Sequence, residues 1–320
     1  MTIAKVQHYV PQFLLRNFGR GKKDQLWVFD KSDGRSFFTN AKNVASESRF
    51  YNFEVDEQTV SLEPMLTKIE SAAKHVVEKI LDSDSLGVLD EEDRANLAIF
   101  FSIQMKRTRN FREQWLAFPS MLRNEFAKRG DQVAEGSQAE QLIQDLSENQ
   151  LKAETGLFML RAPEMFAEHF VSKHWVLAAT NAQHPFQISD NPLTRQNVIE
   201  RPLRGNLGLQ VPGIEIYLPL SPTRALAMWC TSLTAPILKR GKELQQTAGD
   251  AVEILAQALR TGEPLPYAEE NVMNFNSLQV WQAERYVFSS TDDFAVAQDM
   301  VSSNGRLRRG PRMSTMGSEF

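Results

Sequence analysis

The sequence predicts an α+β fold that is mostly helical. It carries one mixed or antiparallel sheet over about residues 170–230 and a small N-terminal β-hairpin. Three observations predict it. Apolar residues recur at helical spacing in long segments before residue 175 and after residue 240. The β-prone runs HWVLAAT, PFQISD and IEIYLPLS, separated by turn residues, crowd the stretch between. Ser-Asp-Gly, flanked by LWVFD and RSFFTN, signals a hairpin at about 25–40.

The elements follow in order. Pro11 fits the start of a short helix reaching Phe18, because its missing N–H costs nothing there. Gly19 and Gly21 end it. After the hairpin, SRFYNFEV adds a third short strand. Apolar residues at 62, 66, 69, 73, 76, 77 and 80 then predict a helix. Asp90, followed by acids, caps a second one. This helix is apolar nearly all round at LAIFFSIQM, which places it centrally. Residues 119–150 read as exposed helices with a loop near GDQVAEGSQ, and PEMFAEHFVSKH as a further helix. In the sheet region RALAMWCTS reads as a fourth strand. GKELQQTAGDAVEILAQALR and EENVMNFNSLQVWQAERYVFS return to helical spacing. With no internal repeat and no clear linker, residues 1–305 read as a single domain. Residues 306–320 read as a disordered basic tail, whose final Gly-Ser-Glu-Phe matches a cloning remnant.

Composition bounds the function. The 320 residues are 42% hydrophobic and 24% charged, ordinary globular values. A net charge of −4 argues against a surface that binds polyanions throughout, although local basic patches remain open. The single cysteine, Cys230, excludes an intrachain disulfide and reads as a buried thiol. No CxxC, HExxH or Cys/His cluster suggests zinc, so neither metal nor cofactor is expected. No apolar run reaches the roughly 20 residues that span a bilayer, and MTIAKVQHYV lacks the apolar core of a signal peptide. No membrane partner is expected, and the location expected is the cytoplasm.

HYVPQFLLRNF, RFYNFE, the helix containing Ile69-Glu70, IQMKRTRNFR, QISDNPL, IEIYLPLSP and NSLQVWQAERYVFS occur in this order. Together they resemble a mainly bacterial family known as domain of unknown function 4238. Where that family usually has proline after its arginine-threonine pair, this chain has Arg109. The resemblance implies membership and no mechanism.

The chemistry must come from the residues. His8, Gln12 and Arg16 lie four apart among Val10, Phe13, Leu14 and Phe18, so a buried polar stripe there would need partners. Glu70 edges the apolar face of its helix and is a candidate partner for Arg16 or His8. Gln104 and Arg107 share a face of the central helix. Lys106, Arg109 and Arg112 extend this to the basic stretch KRTRNFR. Ser189, Asp190 and Asn191 follow the strand FQI, a place where scaffolds present chemistry, though Asp-Asn-Pro is also a plain turn. Asn276, Gln279 and Arg285 offer further polar contacts. Two readings result. In one, His8, Glu70 and Asp190 are catalytic, and Gln12, Arg16, Gln104, Arg107, Ser189 and Asn191 bind a phosphate-containing substrate, a nucleotide or nucleic acid, for hydrolysis. In the other, the protein is a non-catalytic interaction or ligand-sensing protein, and the polar set is a buried network that specifies the fold. Under the first, Gln12 and Arg16 should face Gln104 and Arg107, with an acid against one arginine.

Overall fold

The computed structural model describes residues 6–199, 206–248 and 250–313, with no side chains between 240 and 248. It is an α+β fold. The chain starts with β1 (Val6–His8) and α1 (Gln12–Asn17), then the hairpin β2 (Gln25–Asp30) and β3 (Arg35–Asn40). β4 (Ser46–Ser48) pairs antiparallel with β1, setting His8 opposite Ser46. β5 (Asn52–Val55) and β6 (Gln58–Ser61) form a second hairpin, turned by Asp56 and Glu57 at φ 47° and 63°. Two left-handed central residues match the twist of paired strands.

The helical body follows as α2 (Glu63–Ser83), α3 (Glu91–Gln104), α4 (Arg109–Arg129), α5 (Gln138–Leu142) and α6 (Glu148–Val171). α3 lies at its centre, with Leu97, Ala98, Phe100, Phe101 and Ile103 buried. Its start is a reciprocal cap. The Asp90 side chain accepts from Asp93 N–H, and the Asp93 carboxylate accepts from Asp90 N–H. It stops before KRTRNFR because Thr108 caps α4, its hydroxyl accepting from Phe111 N–H at 3.3 Å. The helix expected to begin near Pro163 instead starts at Glu148 and runs through that proline.

Next come β7 (His174–Ala179), β8 (Ile188–Ser189), β9 (Thr194–Asn197), β10 (Ile214–Ser221) and β11 (Arg224–Trp229). Then follow α7 (Thr231–Ala248), α8 (Asp250–Thr261), β12 (Leu265–Pro266), α9 (Glu269–Gln282), β13 (Tyr286–Ser289) and α10 (Ala295–Ser303). The main sheet has the order β12-β7-β11-β10-β9 and is antiparallel except for β12 on β7. Alternation along β10 sends Ile214, Ile216, Leu218 and Leu220 into the main core with α3, and Tyr217 to the opposite face with Phe275.

The N-terminal hairpin forms as expected and joins a larger sheet. β13 pairs with β2 and β8 with β13, making the four-stranded sheet β3-β2-β13-β8. The physical reason is that β2 buries Val28 and Phe29 and needs cover; Phe29 stacks on Phe294 with ring centroids 5.5 Å apart. The run YVFS was expected to be helical and is the strand that bridges the halves; four residues are too few to show a two-residue period. The tail is also ordered further than expected. Gly305–Arg308 forms a 3-10 turn, and Arg312 Nη2 pairs with Glu284 Oε1 at 2.7 Å. Residues 314–320, with the expected cloning remnant, lie outside the described residues. No described helix is long and apolar enough to cross a membrane.

Candidate functional site

Six of the nine expected site residues come together where the N-terminal segment crosses α2 and α3. β1 ends at His8, Tyr9 and Val10 dive into the core, and Pro11 turns the chain into α1. The Gln104 Nε2 donates to Tyr9 O at 3.0 Å. Arg107 is 2% exposed. Its Nη2 pairs with Glu70 Oε1 at 2.6 Å and donates to His8 O at 2.7 Å. Its Nε donates to Tyr51 OH at 3.1 Å, and that hydroxyl donates onward to His8 O at 3.0 Å. Burial works against the Arg107 charge, but Tyr51 and Glu70 more than offset it and raise its pKa. Burial pushes the Tyr51 hydroxyl up to about 12, keeping it a donor. The expected acid-on-arginine contact therefore exists, as Glu70 on Arg107.

A second chain of bonds runs outward. Arg16 Nη2 donates to Gln12 Oε1 at 2.6 Å, Gln12 Nε2 lies 3.3 Å from His8 Nδ1 and 3.2 Å from His8 Nε2, and His8 Nε2 lies 3.1 Å from Lys42 O. The Lys42 carbonyl requires a proton on Nε2, which leaves Nδ1 to accept from Gln12. Burial lowers the His8 pKa. The Lys42 carbonyl and Glu70 resist, while Arg107 and Arg16 add to the lowering, so the ring is neutral near pH 7. Arg16 corrects one expectation. It points outward, with a side chain 54% exposed, and its ion-pair partner is Asp24 at 3.5 Å, not Glu70 or Asp190. Leu14, Leu15 and Phe18 fill the inner face of α1, so Arg16 is left outside.

Ser189, Asp190 and Asn191 sit in a different cluster. Asp190 is fully buried. One carboxylate oxygen accepts from Glu284 N–H at 2.7 Å, the other from Arg285 and Tyr286 N–H at 2.8 and 2.9 Å. It makes no bond to the first six residues, although its charge reaches Tyr9, so the clusters lie back to back. Burial pushes the Asp190 carboxyl up to about 6 against these N–H groups and nearby Lys31. Ser189 N–H and Oγ both donate to Gln279 Oε1, at 3.0 and 2.8 Å, and Asn191 Nδ2 donates to Gln282 O at 3.0 Å.

The sequence reading missed several partners. Gln7 Oε1 accepts from Tyr51 N–H at 2.6 Å, and its Nε2 donates to Asn52 Oδ1 at 2.9 Å. Gln282 completes a row on α9 with Asn276 and Gln279, three residues apart, that bonds the backbone from Pro185 to Arg195. This spacing was the available signal. Lys31, in the hairpin turn, is wholly buried and donates to Val280 O and Ala283 O at 2.6 and 2.8 Å. No pattern in the turn announces that.

The basic stretch turns inward. Lys106 Nζ lies 4.7–5.0 Å from the rings of Phe111, Phe158 and Phe166, and burial pushes its pKa down to about 8. Arg109 pairs with Glu47 and Glu113, each at 3.5 Å. The Arg112 guanidinium sits 3.5 Å over Phe50. Among the described residues, no three His, Cys, Asp or Glu side chains gather where they could hold a metal ion.

No curated protein and no solved structure matches the chain. A family model does match residues 6–293, under the description Protein of unknown function (DUF4238), and the chain belongs to that family.

Proposed function

We propose that this is a binding protein, not a catalyst, and that its N-terminal polar set locks the first segment of the chain onto the helical body. One observation carries the reading: the buried charged groups are met inside the molecule, although the Gln104 Oε1 beside them has no partner. The Arg107 charge is cancelled by Glu70, its donors go to Tyr51 and His8 O, and both Asp190 oxygens are spent on backbone N–H groups. A free guanidinium inside the molecule would support phosphate binding; this one is occupied. The test is incubation of the purified protein with RNA, DNA and pooled nucleotides, read by gel and mass spectrometry. No turnover is expected, and His8→Ala should lower the melting temperature. Turnover that His8→Ala abolishes without a stability change would overturn the reading.

A second reading is favoured by the outward chain from Arg16 through Gln12 to a neutral His8. Glu70 lies beside it, its side chain 28% exposed. In that reading the protein hydrolyses a phosphate-containing substrate, nucleotide or nucleic acid. His8 is the general base, steered by Gln12, and Arg16 takes the anionic group. The same turnover assay decides it: Arg16→Ala should raise KM far more than it lowers kcat.

A further inference from the structure

The face of the main sheet turned away from α3 holds an open cleft of about 340 Å³, between β9–β11, α8 and α9. Glu215, Tyr217, Trp229, Tyr267, Gln196 and Phe275 carry its character. Strand register builds it. Glu215 stands opposite Trp229 on one side and Gln196 on the other, so the three form one row across three strands. Tyr217, two residues along β10, shares that face. Tyr267 enters from the chain just after β12.

We propose that this cleft binds a small organic cation, an amine-bearing molecule, through the Glu215 carboxylate and the surrounding aromatic faces. Both hydrogen bonds to Glu215 converge on one oxygen: Tyr217 OH donates to Oε2 at 2.7 Å, and Gln196 Nε2 donates to the same atom. Among the described residues, no group donates to Oε1 and no basic side chain pairs with this glutamate. This leaves Oε1 available at the cavity wall to a ligand cation. Tyr217 and Tyr267 stay protonated, because burial and the nearby glutamate raise both hydroxyls. The carboxylate is then the only charge these residues bring to the row, and it disfavours an anion. Trp and Tyr faces attract a cation further. Trp229 Nε1 is buried beside the Tyr217 hydroxyl, so the indole meets a ligand through its ring and not its N–H. The volume lies at the small end of ligand pockets, which fits a compact amine.

This inference names the ligand class for the binding reading above and rests on it. Phosphate-substrate turnover at His8 would overturn that reading without changing the result of an amine titration. The experiment is isothermal titration calorimetry of the full chain with choline, tyramine and tryptamine, each beside its uncharged counterpart 3,3-dimethylbutan-1-ol, tyrosol or tryptophol. At least one cation should bind with saturable one-to-one stoichiometry, its neutral counterpart about tenfold more weakly or worse. Glu215→Gln keeps an acceptor for Tyr217 and should cost about the same factor. If that variant does not fold, Trp229→Phe replaces it, and weaker binding is again expected. The proposal fails if no cation saturates a site at millimolar concentration, if a neutral counterpart binds equally well, or if a folded Glu215→Gln or Trp229→Phe protein binds like the parent.

Discussion

Arg107 and Gln279 do the same mechanical work in two regions. Each is buried, and each grips a distant segment by a backbone carbonyl, Arg107 at His8 and Gln279 at Pro192. The means differ. Arg107 brings a charge inside, so it needs Glu70 beside it, and Glu70 keeps an edge in water. Gln279 brings no charge; its carbonyl takes Ser189 N–H and Oγ, its amide gives to Pro192 O and Thr194 Oγ1, and nothing is left over. An ion pair couples a segment to the ionic conditions, whereas an amide row couples it only to the backbone it reads.

The largest effect expected from this contrast is at Arg107. Arg107→Met removes the guanidinium but leaves Glu70, the His8 carbonyl and Tyr51 without their partner. Loss of one member of a buried pair costs about 3–5 kcal/mol. Urea denaturation should show that drop, and Glu70→Gln in the Arg107→Met background should recover part of it. If Arg107→Met costs under about 1 kcal/mol, the network does not hold the N-terminal segment.

Gln279→Leu should come next. It strands the Ser189 N–H and the Pro192 carbonyl, for about 2–3 kcal/mol at ordinary penalties for unpaired buried groups. The sharper result is salt dependence. The Arg107→Met penalty should shrink slightly as sodium chloride rises, through the edge of Glu70 that meets water, while the Gln279→Leu penalty should not change. Equal salt responses would erase the distinction between the regions.

Asp190 is a fully buried carboxylate within the amide region and gives the third effect. Its folded carboxyl titrates near 6, above the ordinary aspartate range. Between about pH 4 and 6 the folded state holds a proton that the unfolded chain has released, so stability falls as pH rises through that window and is level above it. The total is roughly 3 kcal/mol. Asp190→Asn should abolish this slope. A slope that survives in the variant would assign it elsewhere.

How far the sequence announced these regions follows from the range of each interaction. His8, Gln12 and Arg16 were visible because their four-residue spacing is local, and Gln104 because α3 is apolar around it; Arg107, expected on the same helix face, lies just past the end of α3. The helix–sheet division was visible for the same reason in periodicity. Tyr51 and Gln7 were not, since their bonds depend on how β1 and β4 pair. The outward aim of Arg16 was missed because Leu14, Leu15 and Phe18 claim the inner face together. Asp190 and Ser189 were legible as a turn, but the partner of Ser189 on α9 and those of Asp190 from Glu284 to Tyr286 required β13 to lie between β2 and β8. The row Gln196–Glu215–Trp229 exists only once strand register is fixed.

The smallest effect, at His8, has the opposite sign to that at Asp190, and this makes it the most discriminating. The folded ring has a lowered pKa, burial being the main cause. The unfolded histidine takes up its proton near pH 6.5, before the folded one does. As pH falls below that value the unfolded state binds the extra proton, and stability is lost with acidification. As pH falls, Asp190 gains stability over a lower, overlapping window, so the parent protein should show a shallow stability minimum and not a monotonic curve. His8→Asn keeps a polar side chain at the end of β1 but cannot titrate. In that variant the loss on the acid side of pH 6.5 should vanish, leaving the Asp190 slope alone. Denaturation midpoints of the parent, His8→Asn and Asp190→Asn across pH 4–7.5 separate the two contributions. If His8→Asn left the acid-side loss in place, the ring would not be held neutral by its surroundings. The second functional reading would then lose its general base, and the structural reading would rest on Arg107 and Glu70 alone.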